Sequence, residues 1–185
     1  VATAWIAVPS PEAAVELLSG AHAASEDNVT SCELMARQGI DFVLDHVPGS
    51  TDPLQEKYDW YVLLEWSSTR ARRPGANETG LAEKMEAYLG EAMEKGLVLD
   101  AALAQNESQA RAFWAIRENH SEGQKREGPS IKHDISVSVS RIADFMAEGL
   151  AAMKKALPDC RPVVFGHVGD GNLHFNCQSP PGWNK

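Results

Sequence analysis

The stretch YDWYVLLEWSS, residues 58–68, is aromatic and nearly continuously apolar. A strand with one wet face alternates apolar with polar residues, and a strand without alternation is buried on both faces. This segment therefore predicts an interior strand of a layered protein. Upstream, TAWIAV (3–8) is a second short run of β-formers. Ser10-Pro11-Glu12 follows as N-cap, first-turn proline and first-turn acid, opening a helix that runs to about Ala24. NVTSCELMAR predicts a strand, and QGIDFVLDHVPG a short helix closed by Pro48-Gly49. Downstream, LAEKMEAYLGEAMEKG sets Leu81, Met85, Tyr88, Leu89, Ala92 and Met93 on one stripe, an amphipathic helix stopped at Gly96. LVLDAALA predicts a strand, and Asn106-Glu107-Ser108 opens the helix QARAFWAIRENHSEG.

IKHDISVSV alternates Ile131, His133, Ile135, Val137 and Val139 against Lys132, Asp134, Ser136 and Ser138, the pattern of one half-buried strand. Ser140 then caps a helix whose Ile142, Phe145, Met146, Leu150 and Met153 share a face, ended by Pro158. RPVVFGHV and NLHFNC are the last strands. The order predicts α+β or α/β layers with helices over one face of a sheet. The turn-dense segment near 69–79 is the best internal boundary.

The chain has 185 residues, 43% hydrophobic and 23% charged, enough for one domain with a core or two small ones. No apolar run reaches the roughly 18 residues of a membrane span. The opening VATAWIAVPSPEAA lacks a basic n-region and a long apolar core, so it is not read as a signal peptide. With no initial Met, the chain is expected to be a piece of a longer protein. A formal charge of -9 disfavours a nucleic-acid partner. The three cysteines, Cys32, Cys160 and Cys177, show no CxxC spacing. They are expected as buried thiols in a reducing, cytoplasmic setting, without a disulfide framework or a structural zinc knuckle.

Chemistry concentrates in VVFGHVGDGNLHFN, residues 163–176. Asp-Gly suits a two-residue type I′ turn. With Asp170-Gly171 as that turn, His167 faces His174, with Cβ atoms about 4.5–5.5 Å apart. Two imidazoles so placed can converge on one ion at about 2.0–2.1 Å, and Asn176 shares their face. The same spacing also fits an exposed cross-strand pair with no ligand, because two ligands are an incomplete set. A phosphate cradle is disfavoured: GKS/GKT and GxGxxG are both missing, and the run enters a strand. Arg117, beside Phe113, Trp114 and Ile116, belongs at the edge of the core. Lys132 lies on the strand face opposite Ile131 and Ile135. Both cations read either as solvated charges or as a carboxylate clamp, Arg by its fork and Lys as a point charge.

Taken together, FWAIRE, KHDISVSVSRI and GHVGDGNLHFN resemble the C-terminal substrate domain of FAD-linked oxidases of the vanillyl-alcohol-oxidase type, in the D-2-hydroxyacid dehydrogenase branch that includes D-lactate and D-2-hydroxyglutarate dehydrogenases. The resemblance covers most of the chain and is strongest over 113–176. It implies a ferredoxin-like α+β domain, with an antiparallel sheet and helices packed mainly on one face. Residues 1–185 would be a truncated C-terminal part, and the flavin would sit on a separate domain that this chain lacks. It implies His167 and His174 as ligands of a divalent metal, zinc by the family's usage. Arg117 and Lys132 would hold the substrate carboxylate, with Ser121 and Asn176 as further substrate contacts. The metal would acidify the 2-hydroxyl while hydride leaves C2 for FAD.

The family pattern continues past Asn176 to a Glu-His pair that completes the metal shell and supplies the base. The chain ends at Lys185 without that pair, so this piece alone is expected to be inactive and to bind zinc weakly. The expected partner is a 2-hydroxy acid, with an electron acceptor the sequence does not name and self-association into a homo-oligomer left open. Lys125 or Arg126 would supply a second cation for a dicarboxylate. Two other readings stand beside this one. The first is a metal-dependent hydrolase using His167, Asp170 and His174, although His22, His46, His120 and His133 do not fall where its further ligands should. The second is a ferredoxin-like interaction module without catalysis.

Overall fold

The computed structural model describes residues 1–69 and 80–183, so the boundary expected near 69–79 lies, apart from Thr69, outside the described residues. Strand β1 (Ala2–Val8) is buried at every position. It pairs antiparallel with β3 (Trp60–Trp66), the predicted interior strand, from Ala2 opposite Trp66 to Val8 opposite Trp60. The other edge of β3 takes β2 (Val29–Ala36), and the free edge of β1 takes β4 (Asp100–Leu103). Helix α1 (Pro11–Ser25) links β1 to β2, and α3 (Leu81–Glu94) links β3 to β4. The order β4-β1-β3-β2 with these two crossovers is a ferredoxin-like unit. Beyond β2 the sheet continues through β7 (Arg161–His167) and β8 (Asn172–Gln178) to two short strands, β5 (Ser130–Ile131) and β6 (Asp134–Ser136), both paired to β8. Among the described residues every pairing is antiparallel, and the sheet has eight strands.

The α+β class and the antiparallel sheet agree with expectation. The helices, however, cover both faces rather than mainly one. Ala4, Ile6 and Val8 of β1 pack under α1, α3 and α6 (Ile142–Ala156), with Leu17, Met85 and Met146. Trp5 and Ala7 face the other way, under α2 (Arg37–His46) and α4 (Glu107–Glu118), with Ile40, Phe42, Phe113 and Ile116. The reason lies in β1 and β3 themselves: strands apolar on both sides need a layer on each.

Local signals explain most helix boundaries. Ser10 Oγ accepts from Ala13 N–H at 3.3 Å with Pro11 behind it, and Asn106 Oδ1 accepts from Gln109 N–H at 3.0 Å. The single helix expected after Asn106 is divided at Asn119, whose side-chain amide donates to Ala115 O at 2.7 Å. A short helix α5 (His120–Arg126) follows and packs against α2. Ser140 is not a cap; it lies in a 3-10 turn (Val139–Arg141), and α6 begins without a side-chain cap. The half-buried strand expected at IKHDISVSV is two pieces, with Ile131 54% exposed at the sheet edge. Its ladder breaks at His133 because that N–H goes to the Asn176 side chain, at 3.1 Å.

The cysteine expectation is corrected. Cys160 and Cys177 form a disulfide, and only Cys32 is a buried free thiol, its pKa pushed up to about 12 by burial. Cys160 ends the turn before β7, and Cys177 lies on β8 opposite Pro162, so the hairpin joins them without any local motif. Among the described residues no helix is long and apolar enough to cross a membrane.

Candidate functional site

The β7–β8 hairpin sets the site, in a register different from the predicted one. His167 stands opposite Asn172, and His174 opposite Phe165. Val168 explains the shift. It is fully buried and its N–H donates to Cys32 O at 2.9 Å, so it belongs to the core and not to a hairpin pair with Leu173. The chain reverses over residues 168–171, with Gly171 N–H on Val168 O at 3.2 Å and Asn172 N–H on Asp170 Oδ1 at 3.1 Å. A type I′ turn needs positive φ at both Asp170 and Gly171, and of the two only Gly171 has it, at 69°. His167 and His174 therefore do not face each other. They are diagonal neighbours on one face, a separation of about 7–8 Å in a regular sheet.

Opposite His167 on β2 stands Glu33, 1% exposed between Cys32 and Leu34. Its two oxygens are divided between two partners. Oε1 lies 2.7 Å from His167 Nδ1 as an ion-pair contact, and Oε2 accepts from Arg117 Nε at 2.7 Å. A buried carboxylate is tolerable only when so paired. Arg117 reaches it from the last turn of α4, its guanidinium 4.8 Å from the Phe165 ring centre. Its terminal nitrogens make no hydrogen bond or ion pair to another described residue. His174 Nδ1 bonds Asp134, directly across on β6. A carboxylate only accepts, so the bond to Asp134 puts the Nδ1 proton on His174 and leaves Nε2 as an acceptor in the neutral form, and the Glu33 carboxylate beside His167 Nδ1 favours the same tautomer there. Both rings are partly exposed. Phe165 lies beneath the group, with ring centres 4.6 Å from His174 and 4.8 Å from His120.

Asn176 shares the face of His174 but is 2% exposed. Its Nδ2 donates to Gln124 Oε1 at 2.9 Å, and Gln124 Nε2 donates on to Gln178 Oε1 at 3.4 Å. Gln178 Nε2 ends this chain of amides on Gly128 O at 3.1 Å. Lys132 is exposed, and the pairs Ile131–Cys177 and Asp134–His174 bracket it at the register of Asn176. Ser121 is exposed in the first turn of α5. Neither the Lys132 nor the Ser121 side chain bonds another described residue. The structure thus gathers Arg117, His167, His174 and Asn176 and leaves Ser121 and Lys132 at the rim. Arg126 is tied to Glu122 at 3.1 Å, and Lys125 is exposed.

The family model described as FAD linked oxidases, C-terminal domain, matches residues 1–182. The chain belongs to this family. Among proteins similar to this FAD-linked oxidase C-terminal domain, D-2-hydroxyglutarate dehydrogenase, mitochondrial, of Arabidopsis thaliana is 35% identical over 80% of the chain and 25% of its own length. D-2-hydroxyglutarate dehydrogenase of Xanthomonas citri pv. viticola is 32% identical over 95% of the chain and 34% of its own. The mitochondrial protein of Bos taurus with that name is 34% identical over 82% and 26%. The chain spans roughly a quarter to a third of the length of the curated relatives it matches.

Several residues of this C-terminal domain's site are not legible in the sequence. Glu33 carries a faint signal, an acid inside the apolar run CELMA. Asp134 and Phe165 carry none beyond strand alternation. His120 is fully buried; its Nδ1–H donates to Ile116 O at 2.9 Å, and Nε2 has no partner. Burial lowers its pKa to about 4, so the ring is neutral. It fits because Gly39 faces it: a Cβ there would lie 2.5 Å from His120 Cδ2. Among the described residues no group of three or more His, Cys, Asp or Glu is assembled for a metal, so neither the metal expected at His167 and His174 nor the hydrolase reading gains support.

Proposed function

We propose that this chain is the substrate-holding part of an FAD-dependent dehydrogenase that oxidises a D-2-hydroxy acid to the 2-oxo acid. The observation that carries the reading is the pairing of Arg117 with buried Glu33 through Nε alone, which leaves the two terminal nitrogens for an incoming carboxylate beside two partly exposed imidazoles. The relatives' names support D-2-hydroxyglutarate as substrate, with D-lactate as the smaller alternative. Lys132 adds a point charge at the rim. Asn176 has one Nδ2 hydrogen not given to Gln124, and Ser121 an exposed hydroxyl, and these make them the further contacts.

A divalent metal fits the donor set in kind, though in only half the number. Imidazole nitrogens suit zinc, and a carboxylate on the far nitrogen is the usual support of such a ligand. His167 and His174 would hold the ion through Nε2, where it would polarise the 2-hydroxyl as a Lewis acid. When bound, FAD supplies the acceptor for the hydride of C2. The residues of this chain bind and orient: the Arg117 fork fixes the carboxylate, Lys132 offsets its charge, and the imidazole edge faces the 2-hydroxyl.

The test is a panel of 2-hydroxy acids with the full-length parent flavoprotein and a dye acceptor, with and without chelator. The expected result is turnover of a D-2-hydroxy acid, lost on chelation, with the KM of Arg117→Met raised about 10-fold or more. A parent protein without flavin absorbance, or silent on the whole panel, sinks the reading. Turnover indifferent to chelator removes the metal from it.

A further inference from the structure

We infer that Glu33 is the positioning residue of this face, one carboxylate setting both the open nitrogen of His167 and the outward fork of Arg117. The inference rests on the 2-hydroxy acid reading only for what those two groups then hold. Oε1, 2.7 Å from His167 Nδ1, is a negative charge with no proton to give, so it favours the tautomer with the proton on Nδ1 and the lone pair on Nε2. Oε2, at 2.7 Å from Arg117 Nε, takes the inner N–H and leaves the outer two nitrogens unspent. The Phe165 ring below the guanidinium, at 4.8 Å, supports that orientation.

A purely structural ion pair would need only Arg117. The second oxygen is spent on His167, a residue whose side chain is 50% exposed and which contributes little to the core. An apolar side chain would fill this position of β2 without any desolvation cost, since replacing a buried ion pair by hydrophobes is often neutral or stabilising. The charge is therefore explained by what it orients.

Glutamine at this position has one acceptor oxygen and cannot serve both partners. If the oxygen keeps His167, an amide N–H is turned on the Arg117 donor. If the oxygen keeps Arg117, the amide donates to Nδ1 and drives the imidazole proton to Nε2, the nitrogen a ligand needs. Two measurements test this. In the chain itself, long-range proton–nitrogen NMR reports the His167 tautomer. The Nδ1–H form is expected, and an Nε2–H form overturns the proposal whatever the enzyme does. In the parent holoenzyme, Glu33→Gln should raise the KM for the 2-hydroxy acid and weaken Zn²⁺ affinity, each by about 10- to 100-fold, and Glu33→Asp should recover part of both. If Glu33→Gln lowers the unfolding midpoint but leaves KM and Zn²⁺ affinity unchanged, Glu33 is structural only and the proposal fails. If the tautomer is Nδ1–H but no hydroxy acid is turned over, positioning stands and the dehydrogenase reading falls.

Discussion

His120 enters the core on the first turn of α5 with its ring against Phe165 and no solvent exposure. The folded ring takes a proton only near pH 4, whereas its ordinary value is 6.5. Between those values the unfolded chain binds a proton that the folded chain refuses. Stability is therefore full above about pH 6.5 and falls as pH drops towards 4, by up to about 3 kcal/mol. Urea midpoints measured across that window should trace the loss, and His120→Gln should flatten it. Residue by residue, the sequence makes some of the site legible. Phe113, Trp114 and Ile116 mark where Arg117 must surface, and they do place it at the core edge. Glu33 is hidden because a lone acid in an apolar run is informative only once its partners, Arg117 and His167, are known from far along the chain.

At the scale of elements, the hairpin that carries the histidines is legible, but its register is not. Composition proposes an Asp-Gly turn. The decision belongs to Val168, whose buried side chain and bond to Cys32 O tie it to β2 before any turn can use it. Gly171 then becomes the fixed point. It has φ 69°, and a Cβ on it would lie 1.7 Å from Val137 O, the carbonyl of the segment that follows β6. Gly171→Ala should lower stability by about 2 kcal/mol or more in chemical denaturation, and the first disturbed NMR signals should be those of 134–138 and 167–174. The β5–β6 break teaches the same lesson. Alternation forecasts one strand, and a single side-chain acceptor, Asn176 Oδ1, ends the ladder at His133.

Across the whole molecule, the Cys160–Cys177 bond ties the turn after α6 to the middle of the outer sheet. It closes a loop over a sequence separation of 17, for which the chain-entropy account gives about 3 kcal/mol. Reductant should lower the thermal midpoint, and Cys160→Ser should show the same lowering with no further response to reductant. An unchanged midpoint would mean that the bond contributes nothing to stability. The ferredoxin-like half agrees with what the resemblance implied, because its crossovers follow from caps and apolar runs. The second layer of helices was missed because two-sided burial of a strand says that cover exists without saying which helix provides it.

That division of the sheet has a consequence for how the site can fail. His167, His174, Asn176 and Lys132 lie in the outer half, whereas Glu33 and the helix of Arg117, which packs on β1 and β3, belong to the inner one across the β2–β7 border. The site is thus a joint between two modules, not a possession of either. Loosening that border by a fraction of an ångström would part His167 from Glu33 while leaving the Glu33–Arg117 pair in place. Impairment of function without unfolding is the mode of damage this architecture invites.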